Sequence, residues 1–289
     1  MVINADSMQI YRELPIVTAR PTPADEASAP HRLYGVRAAR DPGSVAWWRG
    51  EALAAMEQAR EGGLIPILCG GTGLYFASLT GGLADIPDPG EPARQEARGW
   101  LAEHGAAWLY ARLAAEDPAS AARLRPSDGQ RIARAWEVWR GTGVGMVEWH
   151  ARGKQQRAPW DFAAILLDPA REVLRGAIAA RFEAMMDRGA PEEVAALLAQ
   201  NLDPGLPAMR ALGVPELAAF LNGSLSRAQA VAAAVLASGQ YTKRQATWFR
   251  HHALADPALT HIIHAQFACL TQLSERCMGG LLNFLKNKG

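Results

Sequence analysis

Asn4-Ala5-Asp6-Ser7-Met8-Gln9-Ile10-Tyr11 follows the short apolar run Val2-Ile3 at the head of the chain. A strand that ends this way presents a carboxylate, a hydroxyl and an amide together. In open α/β sheets, ligands bind at the carboxyl ends of the strands, where such a cluster is useful. The same residues also fit a buried strand end whose Asp6 caps the next turn, and spacing alone leaves both readings open.

A second strand end of this kind lies further on. Leu64-Ile65-Pro66-Ile67-Leu68-Cys69 is a nearly continuous apolar run, as expected for a strand buried on both faces. Gly70-Gly71-Thr72 follows at once, and Leu74 to Leu79 resumes as helix. Strand, glycine turn and helix N-terminus together present free backbone N–H groups to an anion, though ordinary βα turns look the same.

Composition narrows the classes. The chain has 289 residues, enough for one large domain or two smaller ones, and 49% of them are apolar. The net charge is +1, so any nucleic-acid site must be a local patch. Lysine occurs only at 154, 243, 286 and 288, leaving arginine as the main cation. Cys69, Cys269 and Cys277 are too few for a disulfide framework and suit a reducing cytoplasm. His261, His264, Cys269 and Cys277 form a loose cluster whose spacing does not match a zinc knuckle. No secretory signal and no membrane-spanning run is apparent.

The remaining chain reads mostly as helix. Pro15 to Pro30 looks like irregular loop. Ser44 can cap a helix from Val45 to about Arg60 that Gly62-Gly63 stops. The turn signals from Gly81 to Glu91 mark a domain boundary, and short helices are expected from Pro92 to about Arg152. The best of them opens with the capping-box pattern Ser127-Asp128-Gly129-Gln130 and runs to Trp139, with Gly141 as its end. Its Ile132, Ala135, Trp136 and Trp139 share one apolar face; Gln130, Arg131 and Arg134 lie opposite.

Phe162 to Leu167 is a buried-strand candidate that returns the chain to the first domain. A helix with Leu174, Ile178, Phe182 and Met185 on one face follows. Gly189 closes it, and Pro191 suits the first turn of the next. Met209 to Pro215 reads as loop. Ser226-Arg227-Ala228-Gln229 is a capping box opening a helix to about His252. Its end interleaves Lys243, Arg244, Arg250, His251 and His252 with Trp248. Cations at a helix C-terminus are favoured by the dipole alone. Interleaved cations and aromatics also suit RNA, whose phosphates want charge and whose unstacked bases want a flat partner. From about Ala255 to Gly289 no assignment follows, beyond a modest amphipathic end at Leu281 to Leu285.

Several of these stretches, in register over roughly residues 3 to 253, resemble the tRNA dimethylallyltransferase (tRNA isopentenyltransferase) family. They are Asp6 to Tyr11, Thr18-Ala19-Arg20-Pro21, Pro30-His31-Arg32-Leu33, Gly70 to Tyr75 and Lys243 to Arg250. The resemblance implies an α/β fold: a P-loop-NTPase-like parallel sheet flanked by helices, with a helical insertion domain. Residues 1–85 and 155–255 would form the catalytic core with C-terminal helices, 86–154 the insertion contacting tRNA, and 256–289 an unassigned tail. The family's phosphate-cradling Gly-x-x-x-x-Gly-Lys-Ser/Thr loop is not found; Gly153-Lys154 is the only Gly-Lys pair and Gln155 follows it. The chain is therefore expected to lack the first strand and P-loop, and to have little or no turnover by itself.

By that resemblance the reaction transfers a dimethylallyl group from its diphosphate to the exocyclic N6 amine of an adenosine beside the tRNA anticodon. Asp6 would be the base. Ser7, Met8, Gln9 and Thr72 would place the adenine. Arg94, Gln130, Arg131, Ile132, Ala133, Arg134, Lys243, Arg244, Gln245, Thr247, Trp248 and Arg250 would hold the anticodon stem-loop. Arg210 and Gly213 belong to a family segment reading Arg-x-x-Gly-Tyr-Arg, in which Val214 and Pro215 here replace the aromatic and the cation. Nucleotide-binding and ATP-binding character, a Mg²⁺ ion serving the diphosphate, a cytoplasmic location, a monomeric state and no membrane contact complete the expectation. The alternatives are a tRNA-binding remnant without catalysis, and a small-molecule nucleotide kinase or free-adenylate prenyltransferase. The arginine-rich insertion and the Lys243–Arg250 helix argue against that last class.

Overall fold

A computed structural model describes residues 1–153, 156–265, 279–281 and 283–284. The described chain divides into two compact units: Met1–Thr80 with Ala158–Gly289, and Gly81–Arg157.

The first unit is built on parallel strands. β1 (Val2–Asn4) lies between β2 (His31–Arg32) and β3 (Ile67–Cys69). A separate parallel pair joins β4 (Ala164–Leu167) to β5 (Thr260–Ile263). Parallel neighbours need long crossovers, and helices supply them here. α1 (Pro23–Ser28) precedes β2, α2 (Val45–Glu61) leads to β3, and α3 (Gly73–Thr80) follows it. Beneath β1, Ile3, Trp48, Met56, Tyr75 and Leu79 form one apolar cluster. Trp48 and Tyr75 stack at 4.1 Å between ring centroids.

The rest of this unit is helical: α8 (Arg171–Asp187), α9 (Ala190–Leu198), α10 (Val214–Leu221) and α11 (Arg227–His251). Their apolar faces bury Phe182, Met185, Val194, Leu197, Leu217 and Ala234 against Ile10, Tyr11 and Leu14 of the loop after β1. That loop is also stitched to α9, because the Glu193 carboxylate accepts from the Ile16 and Val17 N–H groups at 2.7 and 2.9 Å. Numbering continues in chain order through the second unit, which holds α4 (Glu91–Glu116), α5 (Pro118–Ala121), α6 (Gly129–Thr142) and α7 (Met146–Arg152). Leu109, Leu113, Ile132 and Trp136 are its core.

Several expectations change. The window from Pro15 to Pro30 contains α1, held by a capping box between Thr22 and Asp25. α6 is capped by Asp128 rather than Ser127, and it ends at Gly143, which has φ of 70°. Gly141 lies inside the helix, where an added Cβ would sit 2.1 Å from the Pro89 carbonyl oxygen. The insertion opens with two helical runs within α4 that meet at Gly105, whose φ of 81° and ψ of 174° are not helical, so short helices are found where they were expected. Met209 to Pro215 is not a plain loop: Pro207–Arg210 is a 3₁₀ turn, and α10 starts at Val214 with Pro215 in its first turn.

The two strands expected to be buried on both faces are not. Ile65 and Ile67 are 75% and 55% exposed, and Ile165 and Leu167 are 45% and 53% exposed. Among the described residues β3 is an outer strand of a three-stranded sheet and β4 has one partner, so one side of each lacks cover there. One continuous sheet was expected; two small ones are found. β5 arises from the stretch to which no structure was assigned. Cys269 and Cys277 lie outside the described residues, as does part of Leu281 to Leu285. Among the described residues no helix is long and apolar enough to cross a membrane.

Candidate active site

The chain leaves β1 through a knot made by Asn4, which is fully buried. Its Nδ2 donates to the Asp6 carbonyl at 2.9 Å and the Leu33 carbonyl at 3.0 Å, while its Oδ1 accepts from the Asp6 N–H at 2.8 Å. Its own carbonyl accepts from Trp48 Nε1 at 2.8 Å. All hydrogen-bonding groups of this amide side chain are used locally, which fixes the turn that carries Asp6.

Asp6 therefore stands just past the carboxyl end of a parallel strand. Burial pushes its carboxyl above the usual range, while bonds from the Met8 and Gln9 N–H groups and the Arg181 guanidinium pull part of the way back. The Met8 N–H reaches Oδ1 at 2.8 Å. A carboxylate held this way has a fixed direction and raised basicity, both of which suit a general base.

Ser7 is joined to the glycine turn after β3. Thr72 Oγ1 accepts from the Ser7 N–H at 2.9 Å and lies 3.2 Å from Ser7 Oγ. The Thr72 N–H donates to the Ala5 carbonyl at 3.1 Å. Asp6, Ser7 and Thr72, expected together, are brought together. Gln9 turns elsewhere: its Nε2 donates to the Thr18 carbonyl at 3.0 Å and braces the following loop. Met8 packs partly against the helical core. Tyr34 and Cys69 also border Asp6, and burial first, then the Asp6 charge, raises the Cys69 thiol; burial, Cys69 and Asp6 raise the Tyr34 phenol.

α11 brings the basic groups to this unit. Lys243, Arg244 and Thr247 are exposed and, with Trp248, His251 and His252, line a groove of 560 Å³. Trp248 stacks on His252 with centroids 4.2 Å apart. Among the described residues, Lys243, Arg244 and Arg250 have no carboxylate within ion-pair distance. Arg244 instead lies over the Tyr241 ring at 5.5 Å. Burial first and then the Asp6 charge raise the Tyr241 phenol, and α11 touches the glycine turn whose Thr72 holds the Ser7 N–H beside Asp6. Gln245 faces inward, a departure from its expected place among the outward RNA contacts; its Nε2 donates to the Gly71 carbonyl at 2.9 Å. Arg210 is exposed on its 3₁₀ turn, with Nε 3.4 Å from the Pro204 carbonyl. Gly213, with φ of 97°, caps α10 and is buried, so it offers structure rather than a contact surface.

In the second unit the expected cations are already engaged. Arg94 pairs with Asp88 at 2.6 Å, Arg131 with Asp128 at 3.5 Å and Arg134 with Glu137 at 3.1 Å. Gln130 is exposed. Ile132 and Ala133 were expected among the RNA contacts; their side chains are 0% and 7% exposed, inside the core of this unit, and are withdrawn from that role.

The donors around Asp6 do not make a Mg²⁺ site. Asp6 is the single carboxylate of the cluster, its Oδ1 is taken by a backbone N–H, and Ser7 and Thr72 bond to each other. Among the described residues no three His, Cys, Asp or Glu groups converge.

Arg181 on α8, Tyr241 on α11 and Asn4 were not singled out from sequence. Asn4 had a signal, a polar residue closing an apolar strand. The other two had none, because only the fold brings them to Asp6.

The comparisons bear on the whole of this arrangement. A family model described as IPP transferase matches residues 9–252. The chain belongs to that family. It is 59% identical to the tRNA dimethylallyltransferase of Granulibacter bethesdensis, over 99% of this chain and 89% of the relative. It is 55% identical to that of Acidiphilium cryptum, over 98% and 86%. Among solved structures it is similar to the full-length tRNA isopentenylpyrophosphate transferase of Bacillus halodurans, with a TM-score of 0.65 and 27% identity over 99% of this chain and 88% of that one. A eukaryotic dimethylallyltransferase acting on tRNA shares the fold at a TM-score of 0.78 and 24% identity, over 99% and 73%. As a member of the IPP transferase family, the chain is an α/β protein with parallel sheets and the sequence of a prenyltransferase that modifies tRNA.

Proposed function

We propose that this chain transfers a dimethylallyl group from its diphosphate to the N6 amine of an adenosine beside a tRNA anticodon. The observation that carries the reading is the Asp6 carboxylate, fixed at the end of β1 next to a glycine turn that α11 contacts, with Lys243, Arg244 and Arg250 of that helix lacking carboxylate partners among the described residues. As the new C–N bond forms and the C–O bond to diphosphate breaks, the amine sheds a proton. Asp6 accepts it, and its raised basicity helps. Extruding the base from its stack costs a few kcal/mol, and stacking on the exposed His252 ring offsets part of that cost. Lys243 and Arg244 hold RNA phosphates by charge. No step here runs through a metal ion.

A Gly-x-x-x-x-Gly-Lys-Ser/Thr loop is not among the 289 residues, so we propose that the diphosphate is received by such a loop on an added strand. The test is prenyl transfer to anticodon stem-loop RNA by the chain alone and with an upstream strand and P-loop joined to it. Transfer by the joined form supports the reading. RNA binding without transfer by either folded form leaves a tRNA-binding remnant instead.

A further inference from the structure

The groove accounts for the outward side of α11 but not for its inward side, where Tyr241, Gln245, Trp248 and Phe249 are half-buried. Gln245 and Trp248 grip the glycine turn after β3. Gln245 Nε2 donates to the Gly71 carbonyl at 2.9 Å. A Cβ on Gly71 would come within 2.1 Å of Gln245 Nε2, and one on Gly73 within 2.3 Å of Trp248 Cε3. Phe249 meets Phe76 of α3, with centroids 6.1 Å apart. The other side of the turn is equally close: a Cβ on Gly70 would lie 2.2 Å from the Ala5 carbonyl carbon. None of these three glycines has a positive φ, so close approach explains them better than backbone conformation does.

The turn is thus pinched between α11 and the end of β1. Its next residue, Thr72, holds the Ser7 N–H, one residue from Asp6. We propose that Gln245 and Trp248 are positioning residues: a strut from α11, through the Gly70–Thr72 turn, to the loop bearing Asp6. One helix then receives RNA phosphate on its outer side and aligns the base with its inner side. The RNA half of this statement rests on the function proposed above; the strut itself does not.

The test compares Gln245→Leu, Gly71→Ala and Lys243→Ala in the whole chain by amide hydrogen exchange and by affinity for an anticodon stem-loop RNA. Without RNA, Gln245→Leu and Gly71→Ala should each speed exchange at the Ser7 amide about five- to tenfold, with the core amide of Leu197 unchanged. Affinity of Gln245→Leu should stay within about twofold of the parent, while Lys243→Ala weakens it and flattens its salt dependence. Unchanged Ser7 exchange in both variants overturns the strut. So does equal acceleration at Leu197, which would report general loosening. An affinity loss in Gln245→Leu as large as that in Lys243→Ala makes Gln245 an RNA contact and also overturns it. If the parent binds no RNA, the proposed function fails while the exchange comparison still decides the strut.

Discussion

Two helices of this molecule carry arginines that match the family's RNA-binding motifs, and they treat them differently. On α6 the arginines are satisfied within their own unit: Arg131 by Asp128, Arg134 by Glu137. At the C-terminal end of α11, Lys243, Arg244 and Arg250 are exposed and, among the described residues, have no carboxylate within ion-pair distance, whereas Arg227 at its start pairs with Glu183 and Asp187. A surface ion pair contributes little to stability, about 0–1 kcal/mol, yet it has to be exchanged before the cation meets a phosphate. Matching residues in a motif therefore does not mean equal readiness to bind. The α11 groove should supply most of the electrostatic affinity and α6 should adjust it.

The largest expected effect lies beside α11, at the carboxylate itself. In the P-loop-bearing form, Asp6→Asn should lower prenyl transfer by about 10²–10⁴-fold while leaving RNA affinity near the parent's. Single-turnover transfer and filter binding measure the two. The same variant has a stability signature. A carboxyl whose pKa is raised by folding favours its protonated form in the folded state, so ionising it at neutral pH costs stability; below the unfolded value of 3.8 that cost is gone. Asp6→Asn should accordingly raise the thermal midpoint at pH 7, and the gain should vanish near pH 3. Parent turnover should fall, as pH drops, at a pH above the ordinary aspartate range.

Next in size is the double variant Lys243→Ala with Arg244→Ala. Salt titration of RNA binding should show the slope of log K against log salt shallower by roughly 1.4–1.8, the loss expected for two phosphate contacts. A slope equal to the parent's would break the contrast between the helices. Arg131→Ala with Arg134→Ala should change the slope by less than half as much. The sharper version removes the competitors instead: Asp128→Asn and Glu137→Gln should tighten RNA binding by a few-fold at low salt, because they release arginines now engaged. A smaller structural effect tests the second unit alone. Gly105→Ala puts a side chain at φ of 81° and should destabilise that unit by about 1–3 kcal/mol, read as an earlier melting step with RNA-free protein.

Much of this was legible where function is written contiguously. Asp6 with Ser7, the Gly70-Gly71-Thr72 turn and the Ser226 cap of α11 each fall within a few neighbouring residues, and the structure places them as the sequence suggested. What was not legible depends on distant pairings. Arg181 on α8 and Tyr241 on α11 interact electrostatically with Asp6, and nothing local to either announces it. The arginines of α6 looked free because a helical face shows charge but not the partner that spends it. β5 is four residues in a stretch without periodicity, and it exists because β4 supplies a ladder. The continuous apolar runs of β3 and β4 indicated strands correctly but said nothing about whether both faces would find cover.

Those uncovered strands have a practical consequence. Ile67 on one sheet with Ile65 just before its strand, and Ile165, Leu167 and Ile262 on the other, offer apolar borders that the described residues leave uncovered and on which other molecules of the same polypeptide can stack. A lysine in place of Ile65, the most solvent-bathed of the group, should keep a concentrated stock clear for longer in light-scattering measurements.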